Sequence, residues 1–285
     1  MPTAGDVLRD AETTLKASDA VDHHPYKEAS EAADLLAFVL GEAPDDVDEV
    51  AAGALRRFRR LVARRATGEP VGYITGRTEF RGLTLAVGPG AFIPRASSEF
   101  MAEQAIRRLR SRRQPSHVDL ACGVGPVALA VAAEAPGTEV LGVDLSARPV
   151  AFARRNARAL GLANVRFLRG DLFGPLPASL RGAVDVVTIH PPYVGRREVR
   201  TLPHEIRRFE PVESLTDRSP RGLGLIERAA NESSSWLKPG GWLLVEVSSD
   251  RSRAVKSLLH RAGLVDVRST KGELPVSRVV VGRRS

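Results

Sequence analysis

Asp119-Leu120-Ala121-Cys122-Gly123-Val124-Gly125-Pro126 places a carboxylate and two closely spaced glycines where an apolar stretch gives way to a helical pattern. Glycines in such a turn let backbone N–H groups and a ligand approach without a Cβ in the way. Gly123, Gly125 and Ala128 fit a loose G-x-G-x-x-A pattern, and Asp144 follows Gly123 by 21 residues, the spacing at which an acid meets ribose hydroxyls. Alone, this pattern suits a nicotinamide or flavin nucleotide, or only a tight turn with a packing glycine. Asp171, in Gly170-Asp171-Leu172-Phe173, is placed to accept from an adenine amine. His190-Pro191-Pro192-Tyr193 then follows another apolar run and brings an imidazole toward the same crevice.

These residues need a scaffold that gathers loops at one edge. From His117 onward, short apolar runs alternate with helical patterns: strands 118–121, 139–143, 165–169, 184–189 and 242–247, with helices 126–133, 149–160, 226–237 and 251–262 between them. Such alternation predicts right-handed crossovers and a mostly parallel sheet covered on both faces, with ligands at the carboxyl ends of the strands. Lys238-Pro239-Gly240-Gly241 reads as a turn, and 265–268 with 277–282 as a terminal antiparallel pair. The first 66 residues read as helices, with Gly41 as a C-terminal cap. Two short runs, 78–80 and 83–87, flank Arg81-Gly82 as a hairpin.

The 285 residues are 43% hydrophobic and 27% charged, the balance of a globular chain with room for one large and one small domain. No apolar stretch approaches the roughly 18 to 20 residues that span a bilayer, and the N-terminus lacks a signal-peptide pattern, so a cytoplasmic protein is expected. Cys122, the single cysteine, excludes a disulfide framework and a thiolate metal site, and no metal is expected. Net charge is +8, yet residues 1–50 carry 13 acids against 3 bases. The basic cluster Arg56, Arg57, Arg59, Arg60, Arg64 and Arg65 reads as a solvated helix face rather than a nucleic-acid surface.

Taken together, the motifs resemble those of the class I S-adenosylmethionine-dependent methyltransferases, and more closely the release-factor glutamine methyltransferase (HemK/PrmC) family. The resemblance spans nearly the whole chain: a helical N-terminal region, Gly68-Glu69-Pro70 with Tyr73 to Gly76, Phe92-Ile93-Pro94-Arg95, the Asp119 to Gly125 loop, Asp144, Asp171, the Pro-Pro-Tyr motif, Phe209-Glu210-Pro211 and Lys238 to Gly241. It implies an α/β, Rossmann-like methyltransferase domain with an antiparallel last strand, preceded by a small helical domain. The implied division is a substrate-recognition domain over 1–75, a hairpin linker over 76–95 and an S-adenosylmethionine-binding domain over 96–285. The cofactor is expected at Arg95, Asp119, Ala121, Cys122, Gly123, Gly125, Asp144, Asp171, Leu172 and His190. His190, Pro191, Pro192 and Tyr193 are the expected catalytic residues. The resemblance further implies S-adenosylhomocysteine as the product and, as the acceptor, a glutamine side-chain amide in a protein such as a peptide-chain release factor.

Three segments depart from the family pattern. His190 stands where the family has asparagine, whose side-chain oxygen, with a proline carbonyl, accepts both hydrogens of a planar amide. A neutral imidazole offers one acceptor and one donor. His190 therefore either accepts one amide hydrogen, or serves as a base toward an O–H or N–H group of a small molecule, or marks a cofactor-binding protein that no longer transfers methyl groups. Arg95-Ala96-Ser97-Ser98-Glu99 replaces Arg-Pro-x-Thr-Glu, keeping a hydroxyl at Ser98. Ala121 and Cys122 replace glycine and threonine.

Overall fold

The computed structural model describes residues 1–272 and 277–285, and they form two units. The first comprises residues 1–77 together with 200–210, a returning segment that sequence patterning does not signal. Helix α1 (Ala4–Lys16) starts at Thr3, whose hydroxyl accepts the Asp6 N–H, and it buries Ala4, Val7, Ala11 and Leu15 at helical spacing. Helix α2 (Lys27–Leu40) ends at Gly41 with φ +85°, the left-handed cap expected there. Helix α3 (Ala52–Arg65) adds Phe58 and Val62 to the shared core, and α4 (Val71–Thr75) follows.

The arginine cluster on α3 is not uniformly solvated. Arg56, Arg57, Arg59 and Arg60 are exposed, but Arg65 is 1% exposed and ion-paired. Its guanidinium meets Glu31 at 2.8 Å and Glu205 at 2.6 Å, and Lys27 meets the other Glu205 oxygen at 2.6 Å. Glu205 lies on α8 (His204–Phe209), so this network fastens the returning segment to the helices.

The second unit comprises 78–199 and 211–285. Strands β1 (Arg77–Phe80) and β2 (Leu83–Ala86) pair as a hairpin whose Arg81 and Gly82 both have positive φ, the turn expected from that dipeptide. Helix α5 (Ser98–Leu109) comes next. The sheet strands and their helices then alternate: β3 (Ser116–Leu120), α6 (Pro126–Glu134), β4 (Glu139–Asp144), α7 (Ala147–Ala159), β5 (Val165–Arg169) and β6 (Val184–Ile189). After α8 come α9 (Gly224–Trp236), β7 (Leu237–Ser248), α10 (Ser252–Arg261), β8 (Val265–Thr270) and β9 (Ser277–Arg283). The strand order is β5-β4-β3-β6-β7-β9-β8, parallel through β7 and antiparallel at β9. Every residue of β6 is buried, as a central strand covered on both faces requires.

Alternate strand residues feed two cores. One gathers Met101, Val127, Val150 and Leu244, and the other gathers Leu120, Ile189, Ile226 and Leu258. Lys238 to Gly241, expected as a turn, instead lies inside β7. The register against β6 jumps from Val184–Leu237 to Val186–Trp242, so the four residues form a bulge, with Gly240 at φ +76°. Turn chemistry is present, but strand pairing resumes on both sides of it. No helix among the described residues is long and apolar enough to cross a membrane.

Candidate active site

The carboxyl ends of β3, β4, β5 and β6 open onto a cavity of about 310 Å³. Arg95, Asp119, Ala121, Cys122, Gly123 and Asp144 line it, as do Asp171, Leu172, His190, Pro191 and Pro192. Gly125 and Tyr193 lie outside the lining. Gly125 caps α6 at φ +87°, and a Cβ there would come within 2.7 Å of the Phe167 ring, so its role is the turn and its packing. Tyr193 instead stacks on the His190 ring, with centroids 5.7 Å apart, and burial pushes its phenol up to about 12.

Asp144 ends β4 with both oxygens engaged by backbone: the Gly123 N–H donates to Oδ2 at 2.9 Å, and the Ser146 N–H to Oδ1 at 2.8 Å. Burial raises its pKa, and these two bonds oppose the rise. Each oxygen keeps a second lone pair, enough to accept two hydroxyls. Gly123 has φ +56°, and a Cβ built on it meets nothing within 4 Å, which leaves an open floor beside Asp144. Leu145, next in sequence, lines the cavity as a 64% exposed apolar side chain. Asp171 sits at the rim, half exposed, with its carboxylate 2.6 Å from Arg228.

Asp119 lies deeper, 2% exposed, and accepts the Thr188 hydroxyl at 2.7 Å. Thr188 is in turn 2.8 Å from His117 Nε2. Burial, opposed by the Thr188 bond, pushes Asp119 up to about 7, and burial alone lowers His117 to about 3. Cys122 is also buried, its thiol pushed well up by desolvation, so it serves the wall and is no nucleophile. Asn156 on α7 fixes this loop: its amide donates to the Val124 carbonyl at 3.1 Å and its oxygen accepts the Ala86 N–H at 2.8 Å.

His190 leaves β6 with Nδ1 3.1 Å from Ser98 Oγ and 3.7 Å from Glu246 Oε2. Phe92 meets its ring edge-on at 5.9 Å, and Arg95 lies 4.5 Å over the Phe92 ring. The Pro192 carbonyl accepts the Asp217 N–H at 3.1 Å, whereas the Pro191 carbonyl accepts no hydrogen bond among the described residues. Glu246, Thr188 and Asn156 are absent from any sequence motif. A lone acid inside the apolar run Trp242 to Val247 is the one trace Glu246 leaves in the sequence.

The donor set suits one ligand chemistry. Three acidic side chains and an exposed leucine fit a cationic, hydroxyl-bearing molecule with a flat ring, as S-adenosylmethionine is. Comparison with known proteins agrees. A model of the PrmC N-terminal domain matches residues 6–76, and a methyltransferase domain matches 118–209. A release factor glutamine methyltransferase of Bordetella pertussis is 38% identical over 83% of this chain and 86% of its own length. One from Xylella fastidiosa strain 9a5c is 37% identical over 86% of each. Among solved structures, the T. thermophilus 16S rRNA N2 G1207 methyltransferase, in complex with AdoMet and guanosine, superposes with TM-score 0.55 at 19% identity, over 73% of this chain and 50% of that one, which shows the fold. The chain belongs to the release factor glutamine methyltransferase family and is an S-adenosylmethionine-dependent methyltransferase.

Proposed function

We propose that the chain methylates the side-chain amide nitrogen of a glutamine in a peptide-chain release factor, a reaction of the cytoplasm, and that His190 and the Pro191 carbonyl hold that nitrogen. The observation that carries this reading is the pairing at the end of β6 of an imidazole, fixed on its Nδ1 side, with a carbonyl that accepts no bond among the described residues. Together they supply two acceptors for the two hydrogens of one planar amide, the role that asparagine and proline share in the family pattern. Bound cofactor supplies an electrophilic methyl group on a sulfonium. Asp144, Gly123 and the buried Asp119 then serve binding and alignment, which carry most of the rate in a direct displacement. When the new N–C bond forms, the carbon–sulfur bond breaks and the nitrogen sheds one proton to water, so neither acceptor has to act as a base. The N-terminal helical unit serves acceptor recognition in this reading, which is supported by the fact that none of the cavity-lining residues belongs to it.

Methyl transfer from labelled cofactor to a release factor, and to its glutamine-substituted variant, tests the reading. Labelling lost with the glutamine is the expected result. His190→Asn keeps or raises this transfer, because the carbonyl restores an oxygen acceptor. A base acting on a small-molecule hydroxyl would instead lose about 10² to 10⁴ in turnover with the same change. That loss, or labelling of small molecules with none of the release factor, overturns the proposal.

A further inference from the structure

Glu246 is a buried acid that the binding of cofactor and acceptor leaves unexplained. It sits in β7, where Val245 pairs with Ile189 of β6, so the next residues on the two strands, Glu246 and His190, are neighbours. Its side chain is 1% exposed, and its two oxygens are treated unequally. Oε1 accepts the Ser97 hydroxyl at 3.0 Å, whereas Oε2 is buried with no hydrogen-bond partner among the described residues. That orphaned oxygen lies 3.7 Å from His190 Nδ1, and Ser98 Oγ lies 3.1 Å from the same nitrogen.

A neutral imidazole carries its proton on one nitrogen only. Were Nδ1 bare, the Ser98 hydroxyl could donate to it, but the buried Oε2 would then face a second lone pair and keep no donor among the described residues. With the proton on Nδ1, a small ring rotation satisfies Oε2, and Ser98 Oγ accepts or steps aside. Phe92 and Tyr193 offer the ring an edge and a face, which fix its plane but do not compete for its proton. We propose that Glu246 is a positioning residue that holds the His190 proton on Nδ1 and so leaves Nε2 as the lone-pair acceptor for the nitrogen to be methylated. The identity of that nitrogen rests on the proposed function, but the tautomer does not. An asparagine needs no such control, since its carbonyl oxygen accepts in any state; an imidazole needs a neighbour to choose its accepting nitrogen, and β7 supplies one.

Nitrogen-15 NMR of the full chain with labelled histidine tests this at a pH where the ring is neutral, with the His190 signals assigned by their loss in His190→Asn. Wild type is expected to show protonated Nδ1 and bare Nε2. Glu246→Gln, which can donate to Nδ1, is expected to shift the tautomer ratio by about tenfold or more toward Nε2–H and to lower kcat by a similar factor with KM for the methyl donor unchanged. Ser98→Ala should leave the tautomer as it is. Protonated Nε2 in wild type, or unchanged His190 signals in Glu246→Gln, overturns the inference. If Glu246→Gln does not fold, Ser98→Ala decides: retention of Nδ1–H supports the role of the carboxylate, and reversal assigns the ring to the serine and overturns it. A wild type with the expected tautomer that labels no release factor refutes the proposed acceptor and leaves the tautomer assignment standing.

Discussion

Arg65 among the helices and Asp119 in the sheet are both nearly inaccessible, at 1% and 2% exposure, yet their surroundings differ in kind. Burial pulls the Arg65 pKa down, but Glu31 and Glu205 outweigh it, and the net shift is upward. Two carboxylates and Lys27 surround its charge and hold α8, with Nη1 the one guanidinium nitrogen left without a hydrogen bond among the described residues. Asp119 has a hydroxyl and a backbone N–H for partners and no cation, so burial drives it toward the protonated form. Glu246 is likewise buried, with one oxygen unmet among the described residues. Charge that is paired off fastens the fold; charge left short of partners, at the carboxyl edge of a parallel sheet, is capacity kept for a ligand.

The contrast breaks most visibly at Arg65. Arg65→Ala leaves Glu31 and Glu205 buried against each other and should cost about 3 to 5 kcal/mol of stability. Urea unfolding measures the loss, and cofactor affinity of the protein still folded should be unchanged. A cost below about 1 kcal/mol would mean that the network contributes no more than a surface pair.

Asp119 and His117 sharpen the comparison through pH. Folded Asp119 keeps its proton up to about 7, while the unfolded chain releases it near the ordinary 3.8, so this group makes stability fall as pH rises through that window. His117 acts oppositely: burial holds it neutral down to about 3, the unfolded imidazole protonates below about 6.5, and stability is lost as pH falls. Each slope is about 1.4 kcal/mol per pH unit, and the two cancel between about pH 4 and 6.5. Asp119→Asn should unmask the histidine and make stability rise with pH, and His117→Gln should make it fall. Unfolding midpoints at several pH values check the signs, and parallel profiles for the two variants would contradict the account.

A smaller effect is expected at Asp144. Asp144→Ala should weaken cofactor binding by about 1.5 to 3 kcal/mol, the range for a hydrogen bond to a charged group. Calorimetric titration measures it. A variant that binds as tightly as wild type would remove Asp144 from the ribose site.

Features carried by local spacing were legible in the sequence. The Asp119 to Gly125 turn, Asp144 and His190 each sit where one strand ends and the next element begins, so short-range periodicity places them. What escaped depends on distant pairing. Ser98 meets His190 across 92 residues, and Arg65 meets Glu205 across 140. From the run Arg56 to Arg65, nothing local separates the buried arginine from its exposed neighbours. Helix α5 is missing from the sequence reading although Met101, Ala105, Ile106 and Leu109 recur at helical spacing and are buried along one face. At Lys238 to Gly241 the glycine and proline chemistry was read correctly, yet pairing with β6 resumes across it.

The return of residues 200–210 to the helices sets an order of events during synthesis. Helices α1 to α3 leave the ribosome early, but the carboxylate that completes the Arg65 network arrives 140 residues later. Until then, Arg65 must stay hydrated or lean on Glu31 alone, and the nascent helical unit cannot reach its final stability. The most buried arginine of the protein thus acts as a timer: the amino-terminal unit closes only after β6 and the Pro-Pro-Tyr segment have been made, so an emerging chain cannot present a finished amino-terminal unit ahead of those parts of its catalytic edge.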